Sequence, residues 1–464
     1  MRVLLISTYE LGHQPLHLAS PAGALEAAGH EVGVLDVAVD SITAQAVSGY
    51  EAIAISVPMH TATRLAQDVM SRLAVIAPDV PVAMYGLYAG EGSPDLTAAR
   101  FVGEYEPDLV DWVSTGAGAI GTRISVRTGT FQTPVRRGLP PLDRYGKLEI
   151  DGERRVVGYV EGSHGCRHRC RHCPIPAVYD GRYRIVGAGA VIADIDAQVE
   201  MGARHITWGD PDFLNGPRHS ISLLEEAHRR HPDLTHDLTI KVEHLRERAD
   251  VIPRLAAAGT IFVVSAFETT DDRTLSLLDK GHTAGDMSHV VQLARLSGID
   301  VHPSWMPFVP WTTPEDVVGI FRFLADHDLL GSTDPVQLSI RLLIPRGSLM
   351  LELAEVARTI ADYDEELLSY RWAASDPRAD ELQQTLARRA EEAAEAGEDP
   401  VVTLIRMWRD AEAAAGGDPY AVHPPPAVTV GRPRLTESWF CCAEPTGVQL
   451  STLGPASGEV TSGG

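Results

Sequence analysis

The chain has 464 residues, 44% hydrophobic and 22% charged, a globular composition long enough for two or more domains. Sixty-three acidic against 40 basic residues give a net charge of −23, which argues against a nucleic-acid polyanion as the main partner. No apolar run approaches the ~20 residues that cross a bilayer, and the opening MRVLLISTYELGHQ reads as a buried strand with no cleavage site, so a cytoplasmic protein without a membrane partner is expected.

Residues 1–125 alternate strand and helix signals. Short apolar runs at 2–8, 31–39, 51–59, 81–87 and 109–116 predict strands, and helical periods at 16–29 and 61–78 lie between them. Such alternation predicts an α/β, doubly wound, Rossmann-like parallel sheet, whose ligands bind beyond the carboxyl ends of the strands. Residues 126–154 read as a linker, with two adjacent prolines in GLPPLDRYG (138–146) that forbid a helix interior.

From 155 to 350 the alternation resumes. Strands are predicted at 154–162, 205–210, 238–243, 261–268, 299–308 and 335–345, with helical segments between them, several ending in Gly. Five or six βα units predict a full or partial barrel. Residues 351–464 read as mostly helical: a charged helix at 378–400, an amphipathic one at 400–417, then HPPPAV (423–428) and a small, polar tail.

The five cysteines form two groups: Cys166, Cys170 and Cys173, spaced C-x3-C-x2-C, and the adjacent Cys441–Cys442. In a reducing compartment, metal or redox roles gain weight over disulfides. Three thiolates from one loop can hold three irons of a [4Fe–4S] cube and leave the fourth open to an amine and a carboxylate. The bland alternatives are a zinc knuckle completed by His164, His168 or His172, or independent thiols; zinc sites more often pair C-x2-C with a distant second pair.

This cysteine spacing, after a strand and opening an α/β barrel, resembles the radical S-adenosylmethionine superfamily, with His172 where that family usually has an aromatic residue. The resemblance continues through WGDPDF (208–213), KVEHL (241–245), SAFETTDDRTLSLLDKGHT (265–283) and RLLIPRGSL (341–349). It implies a cluster on Cys166, Cys170 and Cys173. It also implies S-adenosylmethionine contacts from Gly209, Asp210, Asp212, Glu243, Glu268 and Lys280, a small-molecule substrate, and an electron donor such as a flavodoxin or ferredoxin. WGDP departs from the family's two glycines and an acid. On charge placement alone, Glu268 and Lys280 also read as surface groups, and Asp210 and Asp212 as helix caps.

Residues 1–125 resemble the cobalamin-binding-like domain of such enzymes, so cobalamin is a further expected cofactor. The Asp-x-His-x-x-Gly ligand motif is absent, however, and GLYAGEG (86–92) replaces the usual Gly-Gly turn. The alternative is a domain that covers the barrel or helps bind substrate, with His13, His17 and His60 as ordinary loop residues.

The string CCAEP resembles the tail of a bacterial radical-enzyme group named for CCAEP or CUAEP. That group is similar to the radical enzyme of arsinothricin biosynthesis, which attaches a 3-amino-3-carboxypropyl group to arsenic. The resemblance implies a transferase whose Cys441 and Cys442 grip trivalent arsenic, a soft centre suited to paired thiolates; the alternative is two buried cysteines in a terminal hairpin. Rival functions are cobalamin-dependent methylation or rearrangement in natural-product biosynthesis and a non-catalytic metal or arsenic sensor. A tRNA-modifying enzyme is disfavoured by the acidic charge.

Overall fold

A computed structural model describes residues 1–91, 99–127, 129–424 and 431–437. The described residues divide into two units, the first comprising 1–144 with 365–368 and the second comprising 145–364 with those between 369 and 437.

The first unit is built on six parallel strands: β1 (Arg2–Ser7), β2 (Glu31–Asp36), β3 (Ala52–Ser56), β4 (Val82–Tyr85), β5 (Ala99–Gly103) and β6 (Gly121–Ser125). Their order, β2-β1-β3-β4-β5-β6, reverses direction between β1 and β3. That switch point is the ligand-binding crevice of doubly wound folds. Val3, Leu5, Leu18, Leu25, Tyr85, Phe101 and Trp112 fill its core. Each large side chain removed from water contributes ~1.5–3 kcal/mol.

One expectation fails here. The run at 109–116 is not a strand but part of the helix Glu106–Ser114. Pro107 in its first turn, the acids Glu106 and Asp108 at its positive end, and burial of Leu109, Trp112 and Val113 at helical spacing outweigh its β-branched valines. The strand at this place is β5, whose Phe101 packs edge-on against Trp112.

The second unit holds β7 (Lys147–Ile150), β8 (Glu153–Val160), β9 (Ser163–Gly165), β10 (Tyr183–Ile185), β11 (His205–Trp208), β12 (Thr235–Thr239), β13 (Thr260–Glu268), β14 (Asp300–Trp305), β15 (Ile360–Asp364), β16 (Ser369–Trp372) and β17 (Arg434–Leu435). The main sheet runs β14-β13-β12-β11-β8-β7-β17. Its five strands from β8 to β14 are parallel, joined by helices such as Ala188–Glu200, Pro217–Arg230 and Ala284–Leu296. The β7–β8 hairpin and β17 extend it antiparallel. This curled sheet is a partial α/β barrel.

The segment expected as a strand at 335–345 instead begins as the 3-10 helix Pro335–Ser339. Asp334 caps it by accepting a hydrogen bond from the Val336 N–H, and only one bridge, Phe308 to Arg341, continues the parallel pairing. The strand expected at 238–243 lies earlier, as β12, and Val242–Glu247 is a helix. After residue 350 the expected helices appear as Pro377–Ala396 and Pro400–Ala414, preceded by a β15–β16 hairpin clasped by a Tyr363–Tyr370 ring pair. No helix among the described residues is long and apolar enough to cross a membrane.

Candidate functional site

The three-cysteine loop leaves the short strand β9 and is pinned at several points. Gly165, just before Cys166, has φ +73°, and a Cβ there would meet the Tyr179 ring at 2.4 Å and the Arg182 carbonyl at 2.7 Å, so no other residue fits the turn. The Arg171 N–H donates to the Leu278 carbonyl at 2.9 Å and its guanidinium to that of Leu277 at 2.7 Å, tying the loop to the segment after β13. The Cys173 N–H closes a turn on the Cys170 carbonyl at 3.1 Å.

Asn215, which nothing in the sequence singled out, joins this loop to the segment after β11. Its Oδ1 accepts from the Arg167 N–H at 3.2 Å and lies 3.6 Å from the Cys166 thiol, while its amide nitrogen donates to the Gly165 carbonyl. Asp210 locks the other side. Its buried carboxylate accepts from the Ser163 hydroxyl at 2.6 Å and the Gly162 N–H at 2.8 Å. Burial pushes its pKa up to about 7 against those hydrogen bonds.

The three sulfurs act on one another. Burial, then Asp212 and Cys170, raise the Cys166 thiol to about 11; burial, then Cys170, raise Cys173 further. Cys166 and Cys173, raised in this way, stay protonated by themselves, and ligation to iron is what turns such groups into thiolates. A loop presenting three sulfurs within electrostatic reach of one another fits a cluster bound through three cysteines.

Glu268 and Lys280 meet at the mouth of the barrel. β13 ends in a register shift where Glu268 takes φ +65°, a left-handed conformation costing a non-glycine residue ~1–2 kcal/mol. Its Oε1 accepts from Lys280 Nζ at 2.9 Å and lies 3.1 Å from His172 Nε2, beside the third cysteine. Burial alone would raise this carboxylate, but Lys280 and then His172 outweigh it and hold the group well below the usual range. Burial likewise opposes the Lys280 charge, yet Glu268 and then Cys170 raise its pKa. His282, buried beside them, is pushed down to about 4 by burial and then Lys280.

Other expected residues stand elsewhere. Gly209 backs onto the Tyr159 ring, where a Cβ would collide with the phenol, and its N–H extends the ladder to Val160. Asp212 caps the 3-10 turn Phe213–Asn215 through Oδ1. Its Oδ2 turns toward His168 and His244, at 3.6 and 2.7 Å. Glu243 joins this second cluster by pairing with Lys241 at 2.7 Å. Lys241 and His244 sit either side of Glu243 in KVEHL, a local signal for this cluster in the sequence. His168 is pushed down to about 4 by burial and then Lys241. Cys441 and Cys442 lie outside the described residues.

The family model for the radical SAM superfamily matches residues 160–324. The hopanoid C-2 methylase of Rhodopseudomonas palustris (strain TIE-1) is 22% identical over 235 residues, 49% of this chain and 43% of that protein. The bacteriochlorophyllide d C-8(2)-methyltransferase of Chlorobaculum tepidum is 21% identical over 238 residues, 47% of this chain and 51% of its own length. The chain thus spans about half the length of these curated relatives.

Among solved structures, the radical S-adenosylmethionine methyltransferase TsrM from Kitasatospora setae, with tryptophan and a SAM analogue bound, matches with a TM-score of 0.59 at 20% identity, covering 76% of each chain. The cobalamin-dependent enzyme OxsB, with aqua-cobalamin and S-adenosylmethionine bound, matches with a TM-score of 0.61 at 12% identity, covering 85% of this chain and 66% of its own. These likenesses show a shared fold. Residues 160–324, from the end of β8 through the cysteine loop and the barrel strands that follow, are the part of the chain that is similar to the radical SAM superfamily, whose members work with a [4Fe–4S] cluster and S-adenosylmethionine.

Proposed function

We propose that this protein is a radical S-adenosylmethionine transferase. The carrying observation is the joined pair of the three-sulfur loop and the Glu268–Lys280–His172 ion cluster, which places a buried cation and a buried carboxylate against the cysteines. A cluster bound there would supply the electron for reductive cleavage of a carbon–sulfur bond of S-adenosylmethionine. Cys166, Cys170 and Cys173 anchor it. Asn215 and Asp210 hold the loop in shape, and the low-dielectric mouth of the barrel keeps water from the reacting atoms. Glu268 and Lys280 offer a hydrogen-bond acceptor and a donor to the polar parts of S-adenosylmethionine.

The transferred group is read as 3-amino-3-carboxypropyl, and the acceptor as trivalent arsenic held by Cys441 and Cys442. The support is the vicinal pair itself, in a chain whose other cysteines all sit in the cluster loop. Two thiolates from neighbouring residues grip one soft atom where a serine hydroxyl does not. The test is anaerobic reconstitution with a reductant and arsenite. Transfer should appear in the wild type, vanish in a Cys441→Ser, Cys442→Ser double variant, and leave cleavage of S-adenosylmethionine intact. Loss of cleavage as well would assign the pair to packing.

A second reading, cobalamin-dependent methyl transfer, is favoured by the first unit and by the methylase and methyltransferase activities of the relatives. At the β1/β3 switch point, the Ser7 hydroxyl and Glu10 Oε1 are buried without a hydrogen-bond partner among the described residues, polar atoms that fit a bound ligand. His17, however, is engaged through Nδ1 by Glu10 Oε2 at 3.1 Å. Stoichiometric retention of cobalamin by the purified protein would favour this reading over arsenic transfer.

A further inference from the structure

Asp212 and His244 are buried, and Asp212 Oδ2 lies 2.7 Å from His244 Nδ1. Neither atom makes an aligned hydrogen bond. His168, from the cysteine loop, brings its Nε2 to 3.2 Å from His244 Nε2 and 3.6 Å from Asp212 Oδ2. Donor atoms of all three residues fall within 4.8 Å of one another.

Proton placement alone does not satisfy this group. If His168 Nε2 donates to His244 Nε2, the proton on His244 Nδ1 faces Asp212 off-line, and a buried carboxylate oxygen stays without a hydrogen bond. If instead a neutral His244 donates from Nε2, its Nδ1 is bare and faces Asp212 Oδ2 at 2.7 Å, lone pair against lone pair. Orphaned buried charge costs several kcal/mol unless something compensates it.

We propose that His168, Asp212 and His244 form a binding site for a divalent first-row transition ion of the zinc type, separate from the cluster held by the three cysteines. Two imidazoles and a carboxylate are the donor set such ions favour. Zinc bonds of 2.0–2.1 Å place tetrahedral ligands ~3.3 Å apart; His168 Nε2 and Asp212 Oδ2 stand 3.6 Å apart, and one nitrogen of His244 completes the set, either Nε2 at 3.2 Å from His168 or Nδ1 at 2.7 Å from Asp212. Glu243, 3.4 Å from His168 Nδ1, supplies the outer carboxylate that orients a ligating histidine. Asp212 and Glu243 against Lys241 leave one net negative charge to meet the cation. Three protein ligands leave a position open for a substrate oxygen, nitrogen or sulfur donor, the pattern of catalytic and not of structural zinc.

The test is Co(II) titration of the cluster-loaded full-length protein, with iron counted per chain. The site predicts one equivalent of cobalt with the intense ligand-field absorption of a tetrahedral ion and no thiolate-to-cobalt charge-transfer band. In His244→Ala, and in the milder His244→Gln, binding should weaken more than ~100-fold, beyond the 10–100-fold that loss of an outer residue causes, with iron content unchanged. His168→Gln should do the same. Failure of the cluster-loaded wild type to take up cobalt would overturn the proposal. So would equal affinity in the histidine variants, or a charge-transfer band assigning the metal to cysteine. Cobalt uptake is read without S-adenosylmethionine or reductant, so its failure leaves the cleavage reading to its own test, and the two readings fail separately.

Discussion

Lys280 Nζ lies 2.9 Å from Glu268 Oε1, with Lys280 3% exposed and Glu268 7% exposed. A buried pair of this kind gains little net energy over an apolar pair, but breaking it on one side leaves an uncompensated charge that costs ~3–5 kcal/mol. Lys280→Met alone should therefore destabilise the protein more than Lys280→Met combined with Glu268→Gln. Chemical denaturation of the two variants checks this. A double variant as unstable as the sum of the singles would show that the residues do not act as a pair.

The same residues carry a binding expectation. With iron content retained, Glu268→Ala or Lys280→Ala should weaken S-adenosylmethionine binding by ~10–100-fold, the worth of one charge-assisted hydrogen bond. Calorimetric titration of the reconstituted protein measures it, and unchanged affinity in both would make the pair purely structural.

Asn215 is expected to be a positioning residue for the first cysteine. Asn215→Leu keeps the volume and removes both the acceptor for the Arg167 N–H and the donor to Gly165. Iron incorporated per chain should fall at least severalfold while the far-ultraviolet circular dichroism stays unchanged. Full iron content would mean that the loop keeps its shape without the side chain.

Asp210 gives stability a defined pH dependence. Its carboxyl ionises at 3.8 in the unfolded chain and at about 7 in the fold. Between those values the unfolded state loses a proton that the fold keeps, so stability falls as pH rises from about 4 to about 7, by at most ~1.4 kcal/mol per pH unit, and is flat above. The difference in unfolding free energy between Asp210→Asn and the wild type should shift in favour of the variant over that window. A pH-independent difference would contradict the raised pKa.

How much of this was legible in the sequence varies by level. The cysteine triplet, the twelve-residue step from Glu268 to Lys280, and most strands and helices could be read because each is local: a spacing, or a period of 2 or 3.6. The segment 109–116 was misread because Val110 and Val113 suit either element, and the deciding features, Pro107 and the burial of Trp112, lie upstream or depend on tertiary packing. The stretch 335–345 was misread because its apolar run hides the Asp334 cap that starts a 3-10 turn. The His168–Asp212–His244 cluster joins three segments across 76 residues, and Asn215 bridges 48. No spacing rule reports contacts of that range.

The account rests on three thiols anchoring a cluster that cleaves S-adenosylmethionine. The direct measurement is product analysis by mass spectrometry after anaerobic reconstitution and reduction, on the wild type and on single Cys166→Ala, Cys170→Ala and Cys173→Ala variants. The wild type should consume S-adenosylmethionine, yielding 5′-deoxyadenosine or a 3-amino-3-carboxypropyl product, and each variant should lose the ~400 nm iron–sulfur absorbance or the cleavage. A single variant that keeps both the absorbance and the cleavage of the wild type would contradict the account.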